Sequence, residues 1–182
     1  MIPVTGQAFE RVHVIVNARS RRRGGAAALA PLREAVGRAF PDAVWSPTSG
    51  AGHAVALARD AAENGADLVV ALGGDGTVNE VANGVLTAAG TAPVLGILPT
   101  GSGSDFARSL AIPRDTAAAL AVLASGRLRR IDVGEIWCAP LDPASPAPAG
   151  RFFVNVAGCG ASARVTERVN RRRIPGRLGY AV

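Results

Sequence analysis

Between residues 67 and 89 the chain passes from an unbroken apolar run to a helical stripe, with a glycine-rich turn between them. After its first residue, Asp67-Leu68-Val69-Val70-Ala71-Leu72 has no polar interruption, the pattern of a strand buried on both faces of a parallel sheet. Val78, Val81, Ala82 and Val85 then recur at helical spacing. The alternation continues in both directions. Arg11-Val12-His13-Val14-Ile15-Val16-Asn17 reads as a first strand, followed by a helix over residues 26–40 in which Pro31 predicts a kink or a late start. A short strand over 43–45, a turn over 48–52 and a helix over 53–64 closed by Gly65 come next. Downstream, Val94-Leu95-Gly96-Ile97-Leu98 is another buried strand, and Asp115 caps a helix over 116–124 that stops at Gly126. Strands alternating with helices predict an α/β fold, a parallel sheet with helices on both faces.

The grammar changes near residue 130. Residues 130–137 and 151–157 read as two strands joined by a Pro/Ala-rich loop over 139–150, which is a hairpin. The chain therefore divides into an α/β domain over 11–130 and the start of a truncated β-rich second domain over 131–182, because two strands alone do not make a stable sheet. Gly158-x-Gly160-x-x-Ala163 matches a dinucleotide fingerprint, but the acidic residue required about 20 positions on is missing, position 180 being Tyr.

Composition narrows the chemistry. With 48% hydrophobic residues the chain can fill a core, yet no apolar run approaches the roughly 20 residues of a membrane span. The first eleven residues lack a signal-peptide core, so a cytoplasmic protein is expected. Cys138 and Cys159 show neither disulfide nor zinc spacing, and His13 and His53 are isolated. All basic residues are arginine; without lysine, a Walker A loop, a protein-kinase site and Schiff-base chemistry are excluded. The charge is uneven. Residues 11–38 carry seven arginines against Glu34, residues 164–177 six against Glu167, and the remainder is net acidic. Such blocks are either solvated faces or contacts for anionic partners. Nucleic acid is not expected, since aromatics are only 4% and none interleave with the arginines.

The candidate chemistry lies in Leu72-Gly73-Gly74-Asp75-Gly76-Thr77 with its tail Val78-Asn79-Glu80. Glycines without a Cβ allow positive φ and a close approach of backbone to a bulky anion. A helix start behind them offers unpaired N–H groups and a positive dipole end, which together bind phosphate. Asp75 would repel that phosphate unless it handles a metal ion, a water or a substrate hydroxyl. The bland alternative is a tight turn with a capping aspartate, and Thr77 with Glu80 has the form of a capping box. A second turn, Pro99-Thr100-Gly101-Ser102-Gly103-Ser104-Asp105, ends the next strand, with Ser104 expected to cap a helix. Both turns lie at carboxyl ends of parallel strands, where such sheets bind ligands.

Gly73-Gly74-Asp75-Gly76-Thr77 and Gly101-Ser102-Gly103-Ser104-Asp105-Phe106-Ala107, with the order of strands, resemble the catalytic domain of the diacylglycerol kinase family, which includes bacterial lipid kinases and sphingosine kinases and is distantly related to NAD kinases. The resemblance covers about residues 11–182; Phe153-Val154-Asn155-Val156-Ala157-Gly158 resembles the family's entry into its second domain. It implies an α/β nucleotide domain followed by an antiparallel β-sandwich, with ATP and Mg²⁺ as cofactors and a lipid acceptor at a membrane surface. It also implies that Asn17 and Thr48 touch the nucleotide, that Gly73, Gly74, Asp75, Gly76, Thr77, Val78 and Asn79 wrap its phosphates, and that Glu80 lies nearby. Gly101, Ser102 and Gly103 would contact it from the second turn, and Asp75 would be the catalytic carboxylate. The chain departs from the family in three ways. Its first loop reads Asn17-Ala18-Arg19-Ser20-Arg21 rather than Asn-Pro-x-Ser-Gly, and Ser104 replaces an Asn. The family's late proton acceptor and Mg²⁺ ligands are absent, so the metal ligands are unassigned and the chain corresponds to the N-terminal part of such an enzyme. The expectation is ATP-dependent phosphorylation of a diacylglycerol-like or sphingoid hydroxyl by a cytoplasmic protein peripheral to the membrane, with homodimerisation left open. The alternatives are an NAD kinase-like enzyme and a non-catalytic nucleotide-binding regulatory module. The tail, with Arg171-Arg172-Arg173 followed by Ile174, Leu178 and Tyr180, reads either as part of the second domain or as a surface for anionic membrane.

Overall fold

The computed structural model describes residues 6–17, 25–101, 103–138 and 149–158. The Arg21-Arg22-Arg23 stretch, Ser102, most of the Pro/Ala-rich loop and everything from Cys159 onward, including the arginine-rich tail, lie outside the described residues.

Four strands, β1 (Val12–Val16), β2 (Val44–Pro47), β3 (Leu68–Gly73) and β4 (Val94–Pro99), form one all-parallel sheet in the order β2-β1-β3-β4. The unbroken apolar character of β3 follows from its position: a central strand covered on both faces has no side chain in water. Alternate residues supply the two layers. Ile15, Val69, Ala71 and Ile97 face α2 (His53–Glu63), α3 (Asp75–Thr87) and the short α4 (Asp105–Ser109). Val12, Val14, Val16, Leu68, Val70, Leu72 and Leu98 face α1 (Gly25–Ala39) and α5 (Thr116–Ala124). Helices thus cover both faces, as the pattern predicts.

Around the parallel sheet, element edges moved at α1 and β2. Helix α1 starts at Gly25 and runs through Pro31, so Pro31 is not a late start. A proline there removes one ladder bond, while Leu29, Leu32, Val36 and, just beyond the helix, Phe40 hold the segment on the sheet. Strand β2 sits later than expected, paired His13 to Val44 through Val16 to Pro47, and its proline is tolerated because β2 is an edge strand. The cap on α5 is as read: Asp115 accepts from the Ala118 amide at 2.9 Å. Helices α2 and α3 touch closely at Gly84, where a Cβ would overlap the Val55 carbonyl oxygen.

Strands β5 (Gly134–Cys138) and β6 (Ala149–Phe153) pair antiparallel in a separate two-stranded sheet, shorter than the expected hairpin. Two cross-strand pairs hold it: the Phe153 ring lies over Gly134, and the Trp137 ring over Gly150. The hairpin also leans on α3, through Asn83 and through Val154, which packs against the layer containing Val78 and Val81.

Candidate functional site

The carboxyl ends of the four parallel strands make one edge, and the expected site residues fall along it. Asn17 follows β1, Thr48 follows β2, Gly73 ends β3 and Thr100 follows β4. The backbone ties them laterally: the Asn17 amide donates to the Leu72 carbonyl at 3.1 Å, Thr48 to Val16 at 2.8 Å, and Thr100 to Gly73 at 3.0 Å.

Helix α3 starts abruptly. Gly74 is its N-cap, extended at φ −99°, with no side chain capping it; the first intrahelical bond runs from the Val78 amide to the Gly74 carbonyl at 3.0 Å. The amides of Asp75, Gly76 and Thr77 consequently have no acceptor within the helix and project at the sheet edge with the positive dipole end behind them.

The glycines serve this turn differently from expectation. None of Gly73, Gly74, Gly76, Gly101 or Gly103 has positive φ; among the described glycines that conformation belongs to Gly52, Gly65, Gly90 and Gly126. Close approach is the operative demand. A Cβ on Gly101 would lie 2.5 Å from the Gly74 Cα, and one on Gly73 2.5 Å from the Thr77 Oγ1. The two turns are therefore in backbone contact. Above Gly76 the space is open, with nothing within 4 Å of an added Cβ.

Three caps are likewise rearranged. The Thr77–Glu80 capping box does not form, because α3 begins before Thr77. Thr77 is buried, and its Oγ1 accepts from the Asn17 side-chain amide at 2.7 Å. Glu80 Oε2 accepts instead from the Ala54 amide at 3.3 Å, in the first turn of α2. Ser104 is not a side-chain cap: it is left-handed at φ 53°, and its hydroxyl donates to the Gly101 carbonyl at 3.1 Å. The start of α4 is capped by Asp75, whose Oδ2 accepts from the Asp105 amide at 3.2 Å and whose Oδ1 accepts from the Phe106 amide at 3.0 Å. Two acids of α3 thus cap the starts of its neighbours, while its own start carries no side-chain cap.

Of the remaining candidates, Val78 turns its side chain into the core and donates its amide to Gly74, and Asn79 accepts from the Asn83 side chain at 2.8 Å. Gly103 lies against Asp75, a Cβ there coming 3.3 Å from Oδ2. Sequence reasoning missed the pairing of Ser49 with His53, whose Nδ1 accepts from the Ser49 amide and lies 2.9 Å from its hydroxyl, in the loop behind Thr48. The signal was a Ser and a His four apart across a helix start. Among the described residues no group of three His, Cys, Asp or Glu could hold a metal ion.

A family model described as the diacylglycerol kinase catalytic domain matches residues 11–136, which hold the whole parallel sheet and both glycine turns. The chain belongs to the diacylglycerol kinase catalytic-domain family. A Bacillus subtilis protein named diacylglycerol kinase is 34% identical over 175 residues, covering 94% of this chain and 54% of that protein. A Chromohalobacter salexigens protein named probable lipid kinase YegS-like is 40% identical over 147 residues, covering 79% of this chain and 43% of that one. A crystal structure described as a diacylglycerol kinase from Bacillus anthracis superposes with a TM-score of 0.59 at 30% identity, covering 72% of this chain and 46% of that one. The chain therefore spans about half the length of these relatives.

Proposed function

We propose that this chain is the nucleotide-binding part of an ATP-dependent lipid kinase, taking the γ-phosphoryl group of Mg–ATP to the hydroxyl of a diacylglycerol-like or sphingoid lipid. One observation carries the reading: the first turn of α3 presents uncapped amides into open space above Gly76, while Asp75 stands beside it between two backbone turns. Amides of Gly76 and Thr77 suit phosphate oxygens, and Asn17 fixes Thr77 in place. In the transfer, the acceptor oxygen bonds to the γ-phosphorus as the bond to ADP's bridging oxygen breaks and the hydroxyl proton passes to a carboxylate or to water; positioning and charge neutralisation do most of the work.

Asp75 uses two lone-pair positions on amides and retains others, since an ionised carboxylate has about four. That would let Asp75 help to hold a Mg²⁺ ion brought in with the substrate phosphates. Bound there, the metal would supply charge neutralisation on the phosphates. The same carboxylate could orient the acceptor hydroxyl. No helix among the described residues is long and apolar enough to cross a membrane.

Calorimetric titration with Mg–ATP tests the nucleotide site. Transfer of labelled γ-phosphate to diacylglycerol or sphingosine in mixed micelles, with NAD as a parallel acceptor, tests the reaction. Labelled lipid supports the proposal; labelled NAD, or binding with no transfer in the longest natural form of the protein, overturns it in favour of an NAD kinase or a regulatory module respectively.

A further inference from the structure

Asn83 is a buried polar residue of α3, on the side of the helix away from Val78, Val81, Ala82 and Val85. Its Nδ2 donates to the Phe152 carbonyl at 2.8 Å and to the Asn79 carbonyl at 2.8 Å, while its Oδ1 accepts from the Phe152 amide at 2.9 Å. All its capacity as a donor is used. Turning the amide over would set its oxygen against two carbonyls and its NH₂ against an N–H, so the network itself fixes the orientation.

The arrangement imitates a strand. The N–H and C=O of Phe152 point away from β5 and find in one side chain the donor and acceptor that a neighbouring strand would give. Leucine would leave both groups unpaired under α3, and aspartate would repel the carbonyl. Asn83 lies eight residues into α3 from Asp75, about 12 Å along the axis. Helix α3 therefore carries the uncapped turn at one end and the hairpin on its third turn. At Gly84 it packs tightly on α2, where an added Cβ would overlap the Val55 carbonyl oxygen.

We infer that Asn83 is a positioning residue: it fixes the β5–β6 hairpin onto the helix whose first turn forms the candidate phosphate cradle. The nucleotide end of this inference rests on the proposed function; the clamp itself rests on the hydrogen bonds alone. Its role in transfer is to hold whatever the hairpin carries in register with the bound nucleotide, without touching either substrate.

Amide hydrogen exchange followed by NMR tests the clamp in the ligand-free chain. Asn83→Ala should speed exchange at Phe152 by about tenfold or more, the scale of losing buried hydrogen bonds, while amides of β3 and the first turn of α3 keep their protection. Asn83→Asp should behave alike at neutral pH and regain protection as the pH falls, because the protonated carboxyl again offers a donor and an acceptor. A residue that merely filled space would show no such pH dependence. Kinetics in the form that turns over should show kcat reduced by about tenfold or more with the KM for ATP unchanged. Phe152 exchange indifferent to both substitutions overturns the clamp. A raised KM for ATP at unchanged kcat overturns the positioning role. Failure of the wild type to bind Mg–ATP would instead sink the kinase reading, leaving the exchange result to decide the clamp.

Discussion

Glu80, on the second turn of α3, accepts a hydrogen bond from the backbone amide of Ala54, 26 residues earlier in the chain. The contact joins the starts of two helices. It gives Glu80 a structural task at the position where the family resemblance implies nearness to the nucleotide. Replacing it by alanine should cost about 1 kcal/mol, the usual worth of a helix-start cap, while Glu80→Gln, which keeps an acceptor, should lose less. Urea denaturation of the three proteins measures this; equal midpoints for all would mean that the bond contributes nothing.

Asp75 joins α3 to α4 in the same manner but with both oxygens. Asp75→Asn keeps one acceptor and turns an NH₂ toward the second amide, so a loss of about 1–3 kcal/mol is expected. Turnover per folded molecule should fall by a further two orders of magnitude or so if the carboxylate serves the transfer. Stability and activity must therefore be measured on the same sample, with the folded fraction fixed by circular dichroism. Wild-type turnover per folded molecule would confine Asp75 to capping.

Two glycines of the site should respond oppositely. A side chain on Gly101 meets backbone of the other turn, so Gly101→Ala should lower the melting temperature and weaken Mg–ATP binding together. Gly76 has open space and no left-handed φ. Gly76→Ala should leave stability unchanged or raise it by about 0.4–1 kcal/mol, while its methyl intrudes where the phosphate is proposed to lie. Thermal melts with and without Mg–ATP separate the two; undiminished nucleotide stabilisation in Gly76→Ala would move the phosphate elsewhere.

His13, half-buried on β1 with Nε2 2.8 Å from the Ser46 hydroxyl, has its pKa lowered from 6.5 by desolvation. Below that value the unfolded chain takes up a proton that the folded chain resists. Stability should therefore fall as pH drops through about 6.5 toward the folded value, with a slope of at most about 1.4 kcal/mol per pH unit from this residue. In His13→Gln that contribution should vanish, so the difference between the two proteins in urea midpoints at pH 7.5, 6.5 and 5.5 reads it directly. A constant difference across the three would remove His13 as the cause.

Wherever pattern and environment coincide, the fold was legible. Strand β3 is apolar throughout because both its faces are covered, and Asp115 caps α5 because its acceptor group lies three residues away. The failures share one origin. Thr77 with Glu80, and Ser104, have the local form of caps, but α3 begins ahead of Thr77 and the α4 amides are met by Asp75 from another helix, and sequence spacing carries no information about either. The glycines of the two turns were read through backbone freedom, whereas Gly73 and Gly101 answer to atoms within 2.5 Å of an added Cβ. Asn83 left no trace: helical spacing sets it opposite Val78, Val81, Ala82 and Val85, among Asn79, Glu80 and Thr87, a face that reads as solvated until the hairpin covers it.

Each pairing in the parallel sheet spans a helix, and the central one joins Val12 to Leu68. During synthesis β1 has to wait for β3, and the Asp67 carboxylate that receives the Glu10 and Arg11 amides arrives equally late. Until then β1 can pair only with β2 at the edge, leaving the side that β3 will cover open to other strands. Ribosome-stalled chains released before residue 68 should therefore aggregate more than those released after residue 99, because closure of the sheet, rather than the hairpin that follows, protects the apolar strand.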